Sequence, residues 1–202
     1  MALGTFVKIS NVTNLSDARY CTGMMVDVLG FNIDPTTESP ISDTDFQEIA
    51  NWLAGVRFAG EFNTAPLEVI RNTLHAYKID LIELSDITAI EEISTLGKPI
   101  IFKMWVDTEE DFQAIEAQLS YLETFAEIVI VKSSDDNLSK RLDHTIKDYQ
   151  GQLRVLKGYA IKANANDLIE FPGLEMEAQK EERPGFKDYG EIMEVLEAIE
   201  ED

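Results

Sequence analysis

Four lysines and four glutamates stand at the ends of short apolar runs, where their charged heads would converge if those runs were neighbouring strands. Lys8, Lys103, Lys132 and Lys157 end or interrupt four such runs, and Glu61, Glu83, Glu175 and Glu177 take the corresponding places in others. Ser10, Asn11 and Asn32 join them as neutral polar side chains. Several chemistries are open to this set. The lysines would make a cationic cluster able to bind an anion, or one of them, desolvated enough to lose its proton, would make a Schiff-base amine. The glutamates offer oxygen ligands to a divalent cation, but no histidine pair, CxxC or D-x-D-x-D-G loop accompanies them, so no metal site is expected. Ser10 and Lys132 have the residue types of a serine–lysine nucleophilic pair. The plain alternative is mutual neutralisation: with 38 acidic residues against 17 basic ones, each lysine has a carboxylate to pair with.

The elements that must position these residues are legible as eight short strands: Phe6–Ile9, Val26–Phe31, Val56–Phe62, Asp80–Leu84, Pro99–Val106, Ile128–Val131, Leu153–Leu156 and Gly173–Met176. Most are continuous apolar runs rather than alternating ones, as expected of parallel strands covered by helices. Helical patterns lie between them. Asn14 is placed to cap a helix that Gly23 closes, and Thr88 with Glu91, Asp107 with Glu110 and Asp188 with Glu191 have capping-box spacing. Leu67, Ile70, Leu74 and Tyr77 share one helical face, as do Ile192, Val195, Leu196 and Ile199. Trp52, at helical spacing from Ile49, reads as a core residue. Trp105, at the end of the fifth strand, reads equally as a cover over a ligand and as filling for the top of a core.

The turn after the first strand, Ser10-Asn11-Val12-Thr13, lacks glycine, which disfavours a doubly wound dinucleotide fold. Eight β/α units in 202 residues predict one small (β/α)8 TIM barrel spanning residues 1–202, with a shortened seventh unit because only Leu156–Gly173 is left for it. Function then belongs at the C-terminal ends of the strands. The net charge of −21 argues against nucleic acid or an anionic membrane as partner. The single cysteine, Cys21, allows no internal disulfide and reads as a packing residue in a reducing compartment. With no signal peptide or membrane span expected, a cytoplasmic monomer or homodimer follows. No cofactor is expected.

The segment Val7-Lys8-Ile9-Ser10-Asn11-Val12-Thr13-Asn14-Leu15-Ser16-Asp17-Ala18 resembles the first strand and turn of the phosphoribosylanthranilate isomerases. Asp27-Val28-Leu29-Gly30-Phe31-Asn32, then Pro35 with Ile41-Ser42, and finally Pro184-Gly185-Phe186-Lys187-Asp188 resemble later anchors of that family, in the same order. The resemblance implies a TIM barrel and an Amadori rearrangement driven by a general base ending strand one and a general acid ending strand six. The family's cysteine base falls on Ser10, and its aspartate acid on Lys132, or on Val131 with a one-residue shift. Its carboxylate-binding arginine falls on Ser39. Its glycine-rich phosphate loop falls on Ser133-Ser134-Asp135-Asp136-Asn137, its paired-glycine turn on Lys157-Gly158-Tyr159, and its small-residue turn on Glu175-Met176-Glu177-Ala178-Gln179.

Base, acid, carboxylate clamp and phosphate cradle all differ. The expected function is therefore a barrel that binds or acts on a different small molecule at its C-terminal face. The alternatives are a genuine isomerase using Ser10 and Lys132 in altered roles, and a non-catalytic interaction protein whose mouth is plugged. The candidate ligand-binding residues at the mouth are Lys8, Asn11, Asn32, Glu61, Glu83, Lys103, Lys157, Glu175 and Glu177.

Overall fold

Isoleucine, valine and leucine crowd the eight runs, and each run becomes a parallel strand. In the computed structural model, which describes residues 2–158, 165–178 and 190–201, the strands are β1 (Phe6–Ser10), β2 (Val28–Asn32), β3 (Arg57–Glu61), β4 (Leu81–Leu84), β5 (Ile100–Trp105), β6 (Ile128–Lys132), β7 (Arg154–Gly158) and β8 (Gly173–Glu177). They pair in chain order and close into a barrel where β1 meets β8, with Lys8 beside Glu175 and Ser10 beside Glu177. The (β/α)8 architecture is as expected.

Helices cover the outside: α1 (Leu15–Gly23), α2 (Asp43–Ala50), α3 (Leu67–Thr73), α4 (Ile90–Ser94), α5 (Glu109–Leu122), α6 (Asp136–Lys147), α7 (Ala165–Leu168) and α8 (Gly190–Ala198). Among the described residues α7 has four and α4 five, so the fourth unit is nearly as short as the seventh. Ile192, Val195, Leu196 and Ile199 are buried, as their spacing implies. A short antiparallel pair joins Ala2–Leu3 to Glu200–Glu201, whose side chains are exposed.

Local capping departs from expectation in small ways. Asn14 accepts from the Asp17 N–H at 2.9 Å and caps α1 as expected. That helix is closed by Met25 at φ 61, not by Gly23, because the Met25 and Val26 N–H groups reach back to Thr22 and Cys21. The capping box of α5 is Thr108 with Asp111, one residue beyond the expected Asp107 and Glu110. Asp86, rather than Thr88, starts the turn leading into α4 by accepting from the Thr88 N–H at 2.9 Å. Trp52 is 70% exposed and not a core residue; the helix ends before it and turns it outward. The Asp188–Glu191 cap and the Pro184–Asp188 anchor, with Tyr159 and Gln179, lie outside the described residues. Among the described residues, no helix is long and apolar enough to cross a membrane.

Candidate functional site

Strand alternation decides which side chains enter the barrel. The inward faces stack in layers. Phe6 lies at the N-terminal end, with the Arg57 and Arg154 guanidiniums 5.9 and 4.4 Å from its ring centre. Above it, Val28, Ala59, Leu81, Ile101, Ile128, Ile130 and Leu156 form a buried apolar cluster. Two residues further along, the chemistry changes to charge on six of the strands and to glycine on β2 (Gly30) and β7 (Gly158). Lys8 and Ser10 of β1, Glu61 of β3, Glu83 of β4, Lys103 of β5, Lys132 of β6, and Glu175 and Glu177 of β8 form one connected network.

Lys8 is wholly buried and its ammonium has three partners: Ser10 Oγ at 2.5 Å, Glu61 at 2.8 Å and Glu83 at 2.7 Å. Lys103 lies 2.7 Å from Glu83 and 3.5 Å from Glu175. Lys132 bridges Glu175 at 3.0 Å and Glu177 at 2.7 Å, with its ammonium 5.6 Å from the Trp105 ring centre. Ser10 donates to Glu175 Oε1 at 2.6 Å. Asn11, at φ 56, takes the left-handed backbone that asparagine tolerates, and its N–H donates to Glu61 at 3.1 Å.

Two glycines make room for the long side chains. A β-carbon on Gly30 would overlap Glu61 Oε1 and stand 2.8 Å from Lys8 Nζ. One on Gly158 would overlap Lys132 Cγ and stand 2.9 Å from its Cε. The sequence reading missed these roles. Their signal is a glycine inside an otherwise apolar strand, which marks a close approach.

The network places three of the four expected lysines together and turns the fourth away. Lys157 is contradicted as a mouth residue: its ammonium pairs with Asp143 of α6 and lies 5.0 Å from the Phe171 ring centre. The reason is parity, since the inward neighbours on β7 are Leu156, in the apolar cluster, and Gly158, against Lys132. Asn32 is at the mouth but outside the ion network, where its amide donates to Thr37 at 3.0 Å.

Burial and pairing set the protonation states. Burial would lower the Lys8 pKa, but Glu61 and Glu83 outweigh it and leave the group raised. Lys103 is raised in the same way, burial opposing and Glu83 dominating. Burial would raise Glu83, yet the ammoniums of Lys8 and Lys103 hold it down at about 2. Glu175 is also lowered, against its burial, by Lys103, Lys8 and Lys132. None of these four groups is poised to exchange a proton near neutrality, and neither Lys8 nor Lys103 offers the free amine a Schiff base requires.

What stays open to solvent lies above the network. A cleft of about 290 Å³ runs between Asn11, Asn32, Asn63, Ser85, Lys103 and Trp105. A second hollow of about 470 Å³ shares Asn11, Asn32 and Thr37 with it and extends to Glu38 and Glu177. Trp105 is 51% exposed there, so it lines the cleft rather than filling the core.

No family model matches the sequence, and no curated protein does. Solved structures do match. The phosphoribosylanthranilate isomerase from Thermotoga maritima is 21% identical and superposes with a TM-score of 0.74 over 96% of this chain and 98% of its own. The enzyme from Thermus thermophilus is 18% identical, with a TM-score of 0.71 over the same shares. A phosphoribosylanthranilate isomerase in complex with reduced 1-(o-carboxyphenylamino)-1-deoxyribulose 5-phosphate is 21% identical, with a TM-score of 0.71 and again 96% and 98% coverage. The common property is the fold. This chain has the phosphoribosylanthranilate isomerase type of barrel.

Proposed function

We propose that this chain is a single-domain, divergent phosphoribosylanthranilate isomerase-like barrel of the cytoplasm that no longer carries out that rearrangement. It instead holds a different small molecule above a closed mouth. One observation carries the reading. Ser10, at the position the resemblance gives to the general base, is 0% exposed, accepts from Lys8 and donates to Glu175. No substrate carbon reaches it without the network being dismantled, and breaking one side of a buried ion pair costs roughly 3–5 kcal/mol. Lys132, at the position of the acid, is held between two carboxylates. Glu177, where the resemblance expects a phosphate-wrapping turn, would repel a phosphate.

The test is growth of a tryptophan auxotroph lacking the isomerase, together with turnover of phosphoribosylanthranilate by the purified protein. Neither is expected. Rescue that Ser10→Ala abolishes would overturn the reading in favour of a genuine isomerase using Ser10 and Lys132. A second reading, an interaction protein, is favoured by Trp52, which is too exposed for an ordinary packing residue. Under it, Trp52→Ala would lose a partner while ligand binding at the mouth stays unchanged.

A further inference from the structure

Ion pairing inside the mouth, three ammoniums against four carboxylates, limits what its outer surface can recognise. Lys8, Lys103 and Lys132 each have at least two carboxylate partners within the network. An incoming anion would compete with carboxylates already fixed at 2.7–3.5 Å, and Glu177 with Glu38 flanks the wider hollow. In the smaller cleft, an incoming cation would have to compete with Lys8 for Glu61 or Glu83. Apart from the paired Glu61, Glu83 and Lys103, the polar groups lining that cleft are neutral: the amides of Asn11, Asn32 and Asn63, the hydroxyls of Thr37 and Ser85, and the indole of Trp105.

Several of these groups are already held in place. Asn32 and Thr37 are bonded at 3.0 Å, and Ser85 donates to the Asn63 side chain at 3.0 Å. The Asn63 N–H donates to buried Asp34 at 2.9 Å, which anchors its backbone. Lys132 sits 5.6 Å from the Trp105 ring centre, so the indole is braced while half of it stays exposed. A rigid aromatic surface ringed by oriented amides and hydroxyls suits a molecule with many hydroxyls and an apolar C–H face. The cleft is at the small end of ligand pockets, and the adjoining hollow extends it.

We infer that the mouth cleft beside Trp105 binds an uncharged, unphosphorylated sugar ring, laid on the indole and hydrogen-bonded by Asn63, Asn32 and Ser85. This rests on the reading of a mouth closed to phosphoribosylated substrates.

The full-length Trp52→Phe protein leaves Trp105 as the one indole, so its fluorescence reports on the cleft alone. Titrations with ribose, glucose and a free ribonucleoside, each beside its phosphate ester, form the panel. A saturable change with at least one neutral compound is expected, weakened about tenfold or more in its phosphate ester and in Asn63→Ala. A Trp105→Phe protein, followed by amide chemical shifts, keeps the fold and loses affinity by a similar factor. Absence of saturation with every neutral compound, or a phosphate ester binding as tightly as its parent, overturns the inference. Turnover of phosphoribosylanthranilate is measured on the same preparation. Turnover there sinks the proposed function itself, whereas no turnover with no sugar binding sinks only this inference.

Discussion

Inside the barrel, two layers of side chains sit on the same strands and obey opposite rules. The lower layer, from Val28 to Leu156, is apolar. Its stabilisation is non-directional, roughly proportional to area, and insensitive to pH. The upper layer is a lattice of lysine, glutamate and serine in which every group depends on particular neighbours. A partner removed from the lower layer leaves a cavity. One removed from the upper layer leaves a buried charge without its counter-charge. The charged groups of the upper layer are paired with one another.

The sharpest way to break this comparison is Lys8→Met, a near-isosteric change that leaves Glu61 without an ammonium and Glu83 with Lys103 alone. A loss of about 3–5 kcal/mol is expected from urea denaturation, and a loss below about 1 kcal/mol would show that the network is not the stiff plug described. Leu81→Ala in the lower layer comes next, with a loss of about 2–5 kcal/mol set by how far the cavity collapses. Unlike Lys8→Met, it should cost the same at pH 3 as at pH 7.

Of the two layers inside the barrel, acid should act on the upper. Glu83 has its pKa depressed from 4.5 to about 2, so its contribution is complete above 4.5 and is lost as pH falls toward 2. The stability gap between wild type and Glu83→Gln should therefore narrow across that interval. A constant gap would contradict the assignment. Lys8 and Lys103, both raised, contribute fully below 10.5, and their share is lost only above it. Ser10→Ala should cost about 1–3 kcal/mol, because a buried ammonium and a buried carboxylate each lose a hydrogen bond. Smallest of all, Lys157→Met should cost under about 1 kcal/mol, since its pair with Asp143 is partly exposed on the outside. An effect as large as that of Lys8→Met would erase the distinction between inward and outward lysines.

Much of the arrangement was legible along the chain. The strands start and stop within a residue or two of their expected limits because a run such as Ile128-Val129-Ile130-Val131 has few ways to be buried except between helices. Lys8, Lys103 and Lys132 were recognisable as convergent because each sits at the end of such a run. Lys157 looked the same and was not, since the parity of β7 depends on its register with β6 and β8, which no local pattern states. Gly30 and Gly158 were likewise silent: the side chains they accommodate are far away in sequence.

By itself the sequence determined the class of fold, the mouth as the meeting place of charge, and the departures from the isomerase pattern at Ser10, Lys132 and Glu177. The first two follow from residue types and short-range spacing, which act before any long-range contact forms; the departures are what the resemblance implies at those positions. Only the tertiary structure decided that three ammoniums and four carboxylates pair in one network with a single carboxylate in excess, that Ser10 lies beneath it, and that amide, hydroxyl and indole groups line the cleft above it. Ion pairing depends on distances of a few ångströms between strands distant in the chain, and the barrel's closure between β1 and β8 sets those distances.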